Sequence, residues 1–121
     1  VYKENINNLI NTHFLNDEID FLSIDVDGID YYLLEKINIK PKLICIEYNH
    51  WFGSEQSVTI PYDKNFIWNR DYYSGASLLA LTKLAKIKNY HFKKIIRDIV
   101  YKKVHIRYFI YNRPIHNINK Y

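Results

Sequence analysis

The chain has 121 residues, is 48% hydrophobic and carries a formal net charge of +4. Its high hydrophobic content, with only three glycines and three prolines, excludes a linker, a collagen-like repeat and a disordered polar segment. We therefore expect a single domain over residues 1–121. The apolar runs are too short to cross a bilayer, so the sequence predicts no membrane span and a cytoplasmic location.

Charge is distributed unevenly along the chain. Residues 1–82 carry six Lys/Arg and twelve Asp/Glu, a balance of −6, whereas residues 83–121 carry eleven Lys/Arg and one Asp, a balance of +10. A basic tail rich in aromatic residues can contact an acidic partner or RNA. The same lysines also suit the end of a helix and an exposed edge strand. We therefore expect no nucleic-acid partner, and keep a binding module with a basic aromatic tail as the alternative.

Two apolar runs separated by a short helix dominate the first half of the chain. The spacing of apolar residues predicts a helix over 4–14, and the nearly continuous apolar run 19–26 predicts a strand buried on both faces. A second helix is predicted over 29–38, because Pro41 prevents its continuation, and a second buried strand over 42–48. Two such strands joined through a helix form a parallel unit with a right-handed crossover.

The second half begins with a long segment that has no regular period. Residues 49–73 contain large aromatic residues and breakers of regular structure, which predicts a long loop. Loops of this length tend to be functional, so we expect it to lie over the strand ends, on the substrate side. An ordered surface loop packed by its own aromatic residues is the alternative. A helix over 75–88 and strands over 90–96 and 104–111 complete the predicted elements.

These elements predict an α/β fold with two parallel strands, an antiparallel closing pair, and helices on the faces of the sheet. Asp25 and Asp27 follow the first parallel strand, and Glu47 and Asn49 follow the second. The carboxyl ends of neighbouring strands lie about 5 Å apart, where α/β sheets bind their ligands. We expect these four side chains to act as a general base and to orient a substrate. A divalent cation held by Asp25, Glu47 and Asn49 is a further interpretation.

The residues after the first strand also have a purely structural interpretation. Asp27 and Gly28 are typical of a tight turn, and Asp30 suits the start of the following helix as a cap. The glycines Gly28, Gly53 and Gly75 stand far apart, so these 121 residues contain no phosphate-cradling or dinucleotide-binding glycine loop.

Several sequence blocks, in order, resemble the later half of FkbM-type class I methyltransferases. They are DFLSIDVDGIDY at 20–31, IEYN at 46–49, SVTIPYD at 57–63 and GASL at 75–78, and together they span most of residues 4–90. The resemblance implies a Rossmann-like sheet, with this chain supplying its fourth and following strands as the C-terminal part of a larger domain. It also implies transfer of a methyl group from S-adenosylmethionine, whose glycine-rich loop would belong to the missing N-terminal half.

The resemblance assigns roles to the strand-end residues. It implies that Asp25, Asp27, Glu47 and Asn49 are catalytic and that Asp25 and Gly28 contact the cofactor. The candidate residues for binding the acceptor, a hydroxyl of a small molecule or glycan, are Tyr48, His50, Tyr62, Trp68, Tyr73 and Ser74. A non-catalytic, truncated remnant is the alternative. In such a fragment the first strand has an uncovered edge, through which a dimer is expected to form.

Overall fold

The computed structural model describes residues 1–14, 18–100 and 103–111. The described helices are α1 (Ile6–His13), α2 (Asp30–Lys36) and α3 (Leu78–Ile87), with a short 3-10 turn at His50–Phe52. The described strands are β1 (Phe21–Ile24), β2 (Leu43–Glu47), β3 (His91–Val100) and β4 (Lys103–Tyr111). The chain is a small α/β unit, and each predicted helix and strand is present in the predicted order.

The sheet has the strand order β1-β2-β4-β3. Strands β1 and β2 are parallel, with Phe21 opposite Leu43 and Ile24 opposite Ile46. Strand β4 is antiparallel to both β2 and β3, so the predicted parallel pair and the predicted antiparallel closing pair are both confirmed. The last strand therefore lies between β2 and β3, an order that the periodicity of the sequence does not reveal.

The core lies on one face of the parallel strands. Ile24, Ile44 and Ile46 share that face, because Ile24 pairs with Ile46 and side chains alternate along a strand. Side chains from all three described helices join the same buried cluster, which includes Ile10, Leu33, Leu34, Leu81 and Leu84. All three described helices therefore contribute side chains to one core cluster with the parallel strands.

Strand β1 departs from its predicted burial. It is shorter than the predicted strand over 19–26, and its side chains alternate in exposure. Phe21 remains 52% exposed and Ser23 is exposed, and both lie on the face of β1 opposite to the buried Ile24. The prediction of burial on both faces is thus wrong for β1, whereas Ile44, Cys45 and Ile46 of β2 are buried as expected.

The outer edge of β1 pairs with no strand among the described residues. This agrees with the uncovered edge expected from the sequence, while dimerisation through it stays a prediction. None of the described helices combines the length and the apolar character needed to cross a membrane.

Candidate functional site

Three acidic side chains meet at the carboxyl ends of the parallel strands. Asp25, Asp27 and Glu47 each offer a carboxylate oxygen, and these oxygens all lie within 4.8 Å of one another. The parallel register explains the meeting, because Asp25 and Glu47 directly follow the paired residues Ile24 and Ile46. Asp25 and Asp27 are exposed and Glu47 is half-buried. We call these three residues the carboxylate cluster.

A buried aspartate holds the turn that carries two members of the cluster. The Asp30 carboxylate accepts hydrogen bonds from the backbone N–H groups of Gly28 at 2.9 Å and Val26 at 3.1 Å. Asp27 between them has φ +58°, in the left-handed region, which confirms the predicted tight turn. Asp30 was expected to cap α2, but it is the first helical residue and its carboxylate binds the preceding turn instead.

The Asp30 carboxyl is in an unusual electrostatic environment. Its residue is only 3% exposed, and burial raises the pKa of the carboxyl. The N–H groups of Gly28 and Val26 act in the opposite direction by stabilising the charged form, and the nearby Asp25 adds to the rise in pKa. Asp30 thus supports the turn beneath the site, and the two backbone hydrogen bonds offset only part of the cost of burying its charge.

The long loop packs directly on the end of β1. A Cβ atom on Gly28 would lie 2.2 Å from Cε1 and 2.4 Å from Cδ1 of Phe66, so the aromatic ring occupies the space that a side chain would need. The N–H of Gly75 also donates a hydrogen bond of 3.2 Å to the Gly28 carbonyl. These contacts place Phe66 and Gly75 against the turn that follows β1, while a substrate-side role of the loop stays a prediction. They give Gly28 a packing role, and cofactor contact at Gly28 stays a prediction.

We expect Gly28→Ala to lower the free energy of unfolding by about 1–3 kcal/mol, because the new methyl group overlaps the Phe66 ring. Gly28 does not have a left-handed φ, so the lack of space beside Phe66, and not backbone strain, disfavours a side chain at this position. Chemical denaturation of Gly28→Ala, Phe66→Ala and the double variant gives the coupling free energy between positions 28 and 66. In the Phe66→Ala background, Gly28→Ala is expected to cost less than about 0.5 kcal/mol. Additive costs would show that Phe66 does not pack on this glycine.

Asn49 lies outside the carboxylate cluster and anchors the loop. Its Oδ1 accepts a hydrogen bond of 2.9 Å from the N–H of Trp51, and its Nδ2 donates to the carbonyls of Tyr72 and Ser74, each at 2.8 Å. The residue is 9% exposed. The sequence grouped Asn49 with Asp25 and Glu47 as a metal ligand; in the structure its amide binds the backbone of the loop, and Asp27 is the carboxylate that lies beside Asp25 and Glu47.

The base of the loop is closed by backbone pairing. The N–H of Asn49 donates to the Ala76 carbonyl at 2.8 Å, and Thr59 forms an isolated antiparallel bridge with Ala76. The fully buried Ser77 accepts hydrogen bonds at Oγ from the N–H groups of Val58 and Ala80, each at 3.1 Å. One serine therefore caps α3 and fixes the returning end of the loop.

Two of the predicted acceptor-binding residues pack into the fold. Tyr48 is half-buried against the core cluster. The hydroxyl of Tyr62 donates a hydrogen bond to Glu4, and its ring contacts Lys3 and lies 5.1 Å from the Tyr32 ring. The observed contacts of Tyr62 are thus with the N-terminal segment and α2. A spacing of 58 residues between Tyr62 and Glu4 explains why no local pattern indicates this contact.

The other predicted acceptor-binding residues lie at the two ends of the loop. The carbonyl of Ser74 accepts a hydrogen bond from the side-chain amide of Asn49. The indole N–H of Trp68 donates a hydrogen bond to the Asp71 carbonyl at 2.9 Å. Tyr73 is 54% exposed. His50 is half-buried at the start of the 3-10 turn, where its ring stands 4.9 Å from that of Trp51.

Two exposed aromatic residues were missed as site candidates. Trp51 and Tyr72 have ring centroids 4.4 Å apart, although they are 21 positions apart in sequence. They meet because the Asn49 amide binds the backbone of both residues. The aromatic content of the loop indicated that it has a function, but no sequence pattern predicts that these two rings are in contact.

The cluster can perform three kinds of chemistry. Carboxylate oxygens can accept a proton, orient hydroxyl or amine groups, or bind a divalent cation. Asp25, Asp27 and Glu47 supply three such groups at one place, although exposed acidic groups are common without an ion. No protein-family model, curated protein or solved structure matches this chain. The chemistry of the site is therefore inferred from its own side chains.

Proposed function

We propose that this chain is the later part of a Rossmann-like, S-adenosylmethionine-dependent methyltransferase that methylates a hydroxyl of a small molecule or glycan. The observation that carries the proposal is the meeting of Asp25, Asp27 and Glu47 at the ends of two neighbouring parallel strands. That edge of an α/β sheet is where ligands bind. The antiparallel closing pair after the two parallel strands supports the same proposal.

The chemistry of the cluster fits the reacting end of this cofactor. When bound, S-adenosylmethionine supplies an electrophilic methyl group on a positively charged sulfur. The negative charge of Asp25, Asp27 and Glu47 favours a cationic group nearby. Asp25 is the proposed general base that accepts the proton of the acceptor hydroxyl, and Glu47 orients that hydroxyl. Phe66 packs over Gly28 and covers that side of the turn.

The binding of the rest of the cofactor is proposed to require a preceding half of the domain. The three glycines of this chain are far apart in sequence. The ring of Phe66 also occupies the space next to Gly28. No glycine-rich loop is therefore available within these 121 residues. We expect this chain alone to bind S-adenosylmethionine weakly or not at all.

A metal-dependent form of the same reaction is the second candidate, and the spacing of the three carboxylates favours it. Oxygen ligands within 4.8 Å of one another are a donor set that a hard divalent cation accepts. Such a cation would be held by Asp25, Asp27 and Glu47. Its contribution would be to lower the pKa of the acceptor hydroxyl, so that solvent water could take up the proton in place of a carboxylate base.

The experiment is to assay methyl transfer from labelled S-adenosylmethionine to a mixed pool of hydroxyl acceptors. It compares this chain with the chain joined to the upstream part of its own gene. We expect transfer only by the longer protein, and binding of the cofactor only there. Micromolar binding by this chain alone would contradict the need for a preceding half. A longer protein that neither binds the cofactor nor transfers methyl groups would contradict the methyltransferase proposal.

The same assay separates the two candidates. Addition of a chelator is expected to leave transfer unchanged if Asp25 is the base, and to abolish it if the cluster holds a cation. Elemental analysis of the purified protein provides the independent measurement.

The alternative of a binding module rests on the basic tail. Residues 101–102 and 112–121, and the side chains from 92 onward, lie outside what the structure describes. The carboxylate cluster lies within the described residues and supports the enzyme proposal. Contact of the basic tail with an acidic partner or RNA stays a prediction. Such contact is expected to weaken steeply with added salt.

A further inference from the structure

Three aromatic rings lie next to one another at the start and end of the loop, two of them exposed and one half-buried. Trp51 is 63% exposed and Tyr72 is 66% exposed, yet their ring centroids are 4.4 Å apart. The half-buried His50 extends the row, with its ring 4.9 Å from that of Trp51. We call His50, Trp51 and Tyr72 the aromatic row. Two large side chains this exposed leave a substantial apolar area in contact with water.

The aromatic row is held in place before any ligand binds. The buried Asn49 accepts from the Trp51 N–H at 2.9 Å and donates to the Tyr72 carbonyl at 2.8 Å, so one side chain fixes the backbone of both ring-bearing residues. A preformed pair of rings loses little conformational freedom on binding a ligand, which favours affinity.

The aromatic row is also close to the carboxylate cluster. Trp51 is four residues beyond Glu47, so their Cα atoms can be separated by at most about 14 Å. A sugar chain of two or three units covers such a span. Together the rings and the carboxylates would provide two different contacts for one ligand, an apolar stacking face and charged hydrogen-bond acceptors.

We propose that the aromatic row binds the pyranose rings of a saccharide whose hydroxyl groups reach the carboxylate cluster. The C–H face of a pyranose ring is apolar and carries partial positive charge, which complements the negative faces of indole and phenol rings. Hydroxyl groups at the edge of the sugar donate to carboxylates in charge-assisted hydrogen bonds. The identification of this saccharide as the methyl acceptor rests on the proposed function, whereas sugar binding by the row does not.

The surroundings disfavour two other ligands that stack on aromatic rings. Residues 1–82 carry a balance of −6, so the phosphates of an oligonucleotide would be repelled beside the carboxylate cluster. An ammonium group is attracted to a ring face within about 6 Å, but one such group covers a single face. A row of three rings in contact offers more apolar area than an ammonium group can cover.

The test measures sugar binding by this chain directly, without the cofactor. The chain has two tryptophans, so its NMR spectrum contains two indole N–H signals, and Trp51→Phe identifies the signal of Trp51. Cellohexaose, maltohexaose and mannohexaose are the probes. We expect at least one of them to shift the Trp51 signal in a saturable manner. Trp51→Ala and Tyr72→Ala are each expected to weaken that binding about tenfold, as measured by titration calorimetry, because Trp51→Ala lacks the Trp51 signal.

A matched control is available in an exposed aromatic residue elsewhere. Phe14, which follows α1, is 53% exposed, and Phe14→Ala is expected to leave sugar binding unchanged. Dispersion of the amide signals checks that each variant is folded, which the exposure of Trp51 and Tyr72 leads us to expect.

Three outcomes would overturn the proposal. They are failure of all three hexasaccharides to shift the Trp51 signal, binding that survives both alanine substitutions, and binding of hexalysine in place of the sugars. The last outcome would assign the row to a cationic partner. Sugar binding by a protein that transfers no methyl group would contradict the proposed function and leave this inference standing. Methyl transfer without sugar binding would contradict this inference and leave the proposed function standing.

Discussion

Under the proposed function, Asp25→Asn is expected to reduce methyl transfer by the longer protein about 100- to 10,000-fold, with little change in stability. An amide keeps the size of the side chain but cannot accept a proton from the acceptor hydroxyl. Asp25 is exposed, and its substitution also removes one of the carboxylates in the cluster. We therefore expect the free energy of unfolding to change by no more than about 0.5 kcal/mol. Single-turnover methyl transfer and chemical denaturation measure the two effects.

Glu35→Gln is the matched control for Asp25→Asn. Glu35 is an exposed carboxylate on α2, outside the cluster, so its amide variant is expected to retain full activity. An Asp25→Asn enzyme with full activity would remove Asp25 from the site. If activity and stability fell together, the loss would reflect damage to the turn held by Asp30 rather than loss of a base.

Asn49→Ala is expected to have the largest effect on stability, about 2–4 kcal/mol in the free energy of unfolding. The substitution leaves the N–H of Trp51 and the carbonyls of Tyr72 and Ser74 without their hydrogen-bond partner. These groups are partly buried, so water replaces the amide only in part. Chemical denaturation measures the loss, and the Trp51 indole signal reports whether the start of the loop has moved.

Asn49→Asp shows which of the Asn49 hydrogen bonds matter. A carboxylate still accepts from the Trp51 N–H, but it cannot donate to the carbonyls of Tyr72 and Ser74. We expect it to cost nearly as much as Asn49→Ala, because the two donated bonds join the ends of the loop. Asn11→Ala, at an exposed position of α1, is the control and is expected to change stability by less than about 0.5 kcal/mol. A stable Asn49→Asp variant would contradict the anchoring role.

The elements and the acidic cluster could be predicted from local patterns. Apolar runs ending in polar residues indicated both parallel strands, and Asp25 and Glu47 were expected to meet because parallel strands end at the same edge. The interruption at Pro41 and the period of α2 indicated a crossover helix. Each of these features depends on residues within one element or on the geometry common to all parallel pairs.

Other features depend on contacts between distant segments, and the sequence could not predict them. The place of β4 between β2 and β3 depends on long-range pairing. The exposure of alternate residues of β1 depends on what packs against each face, because an apolar run has the same pattern whether one or both faces are covered. The pairing of Trp51 with Tyr72 depends on a single amide, Asn49.

The sequence by itself determined the order of helices and strands, the parallel pair and the carboxylates at its end, because these follow from periodicity and strand geometry. Tertiary structure alone decided the role of Asn49, the packing of Phe66 on Gly28 and the exposure of Trp51. Hydrogen bonds and ring contacts between residues more than 20 positions apart leave no local pattern, since each partner is compatible with many others until the chain has folded.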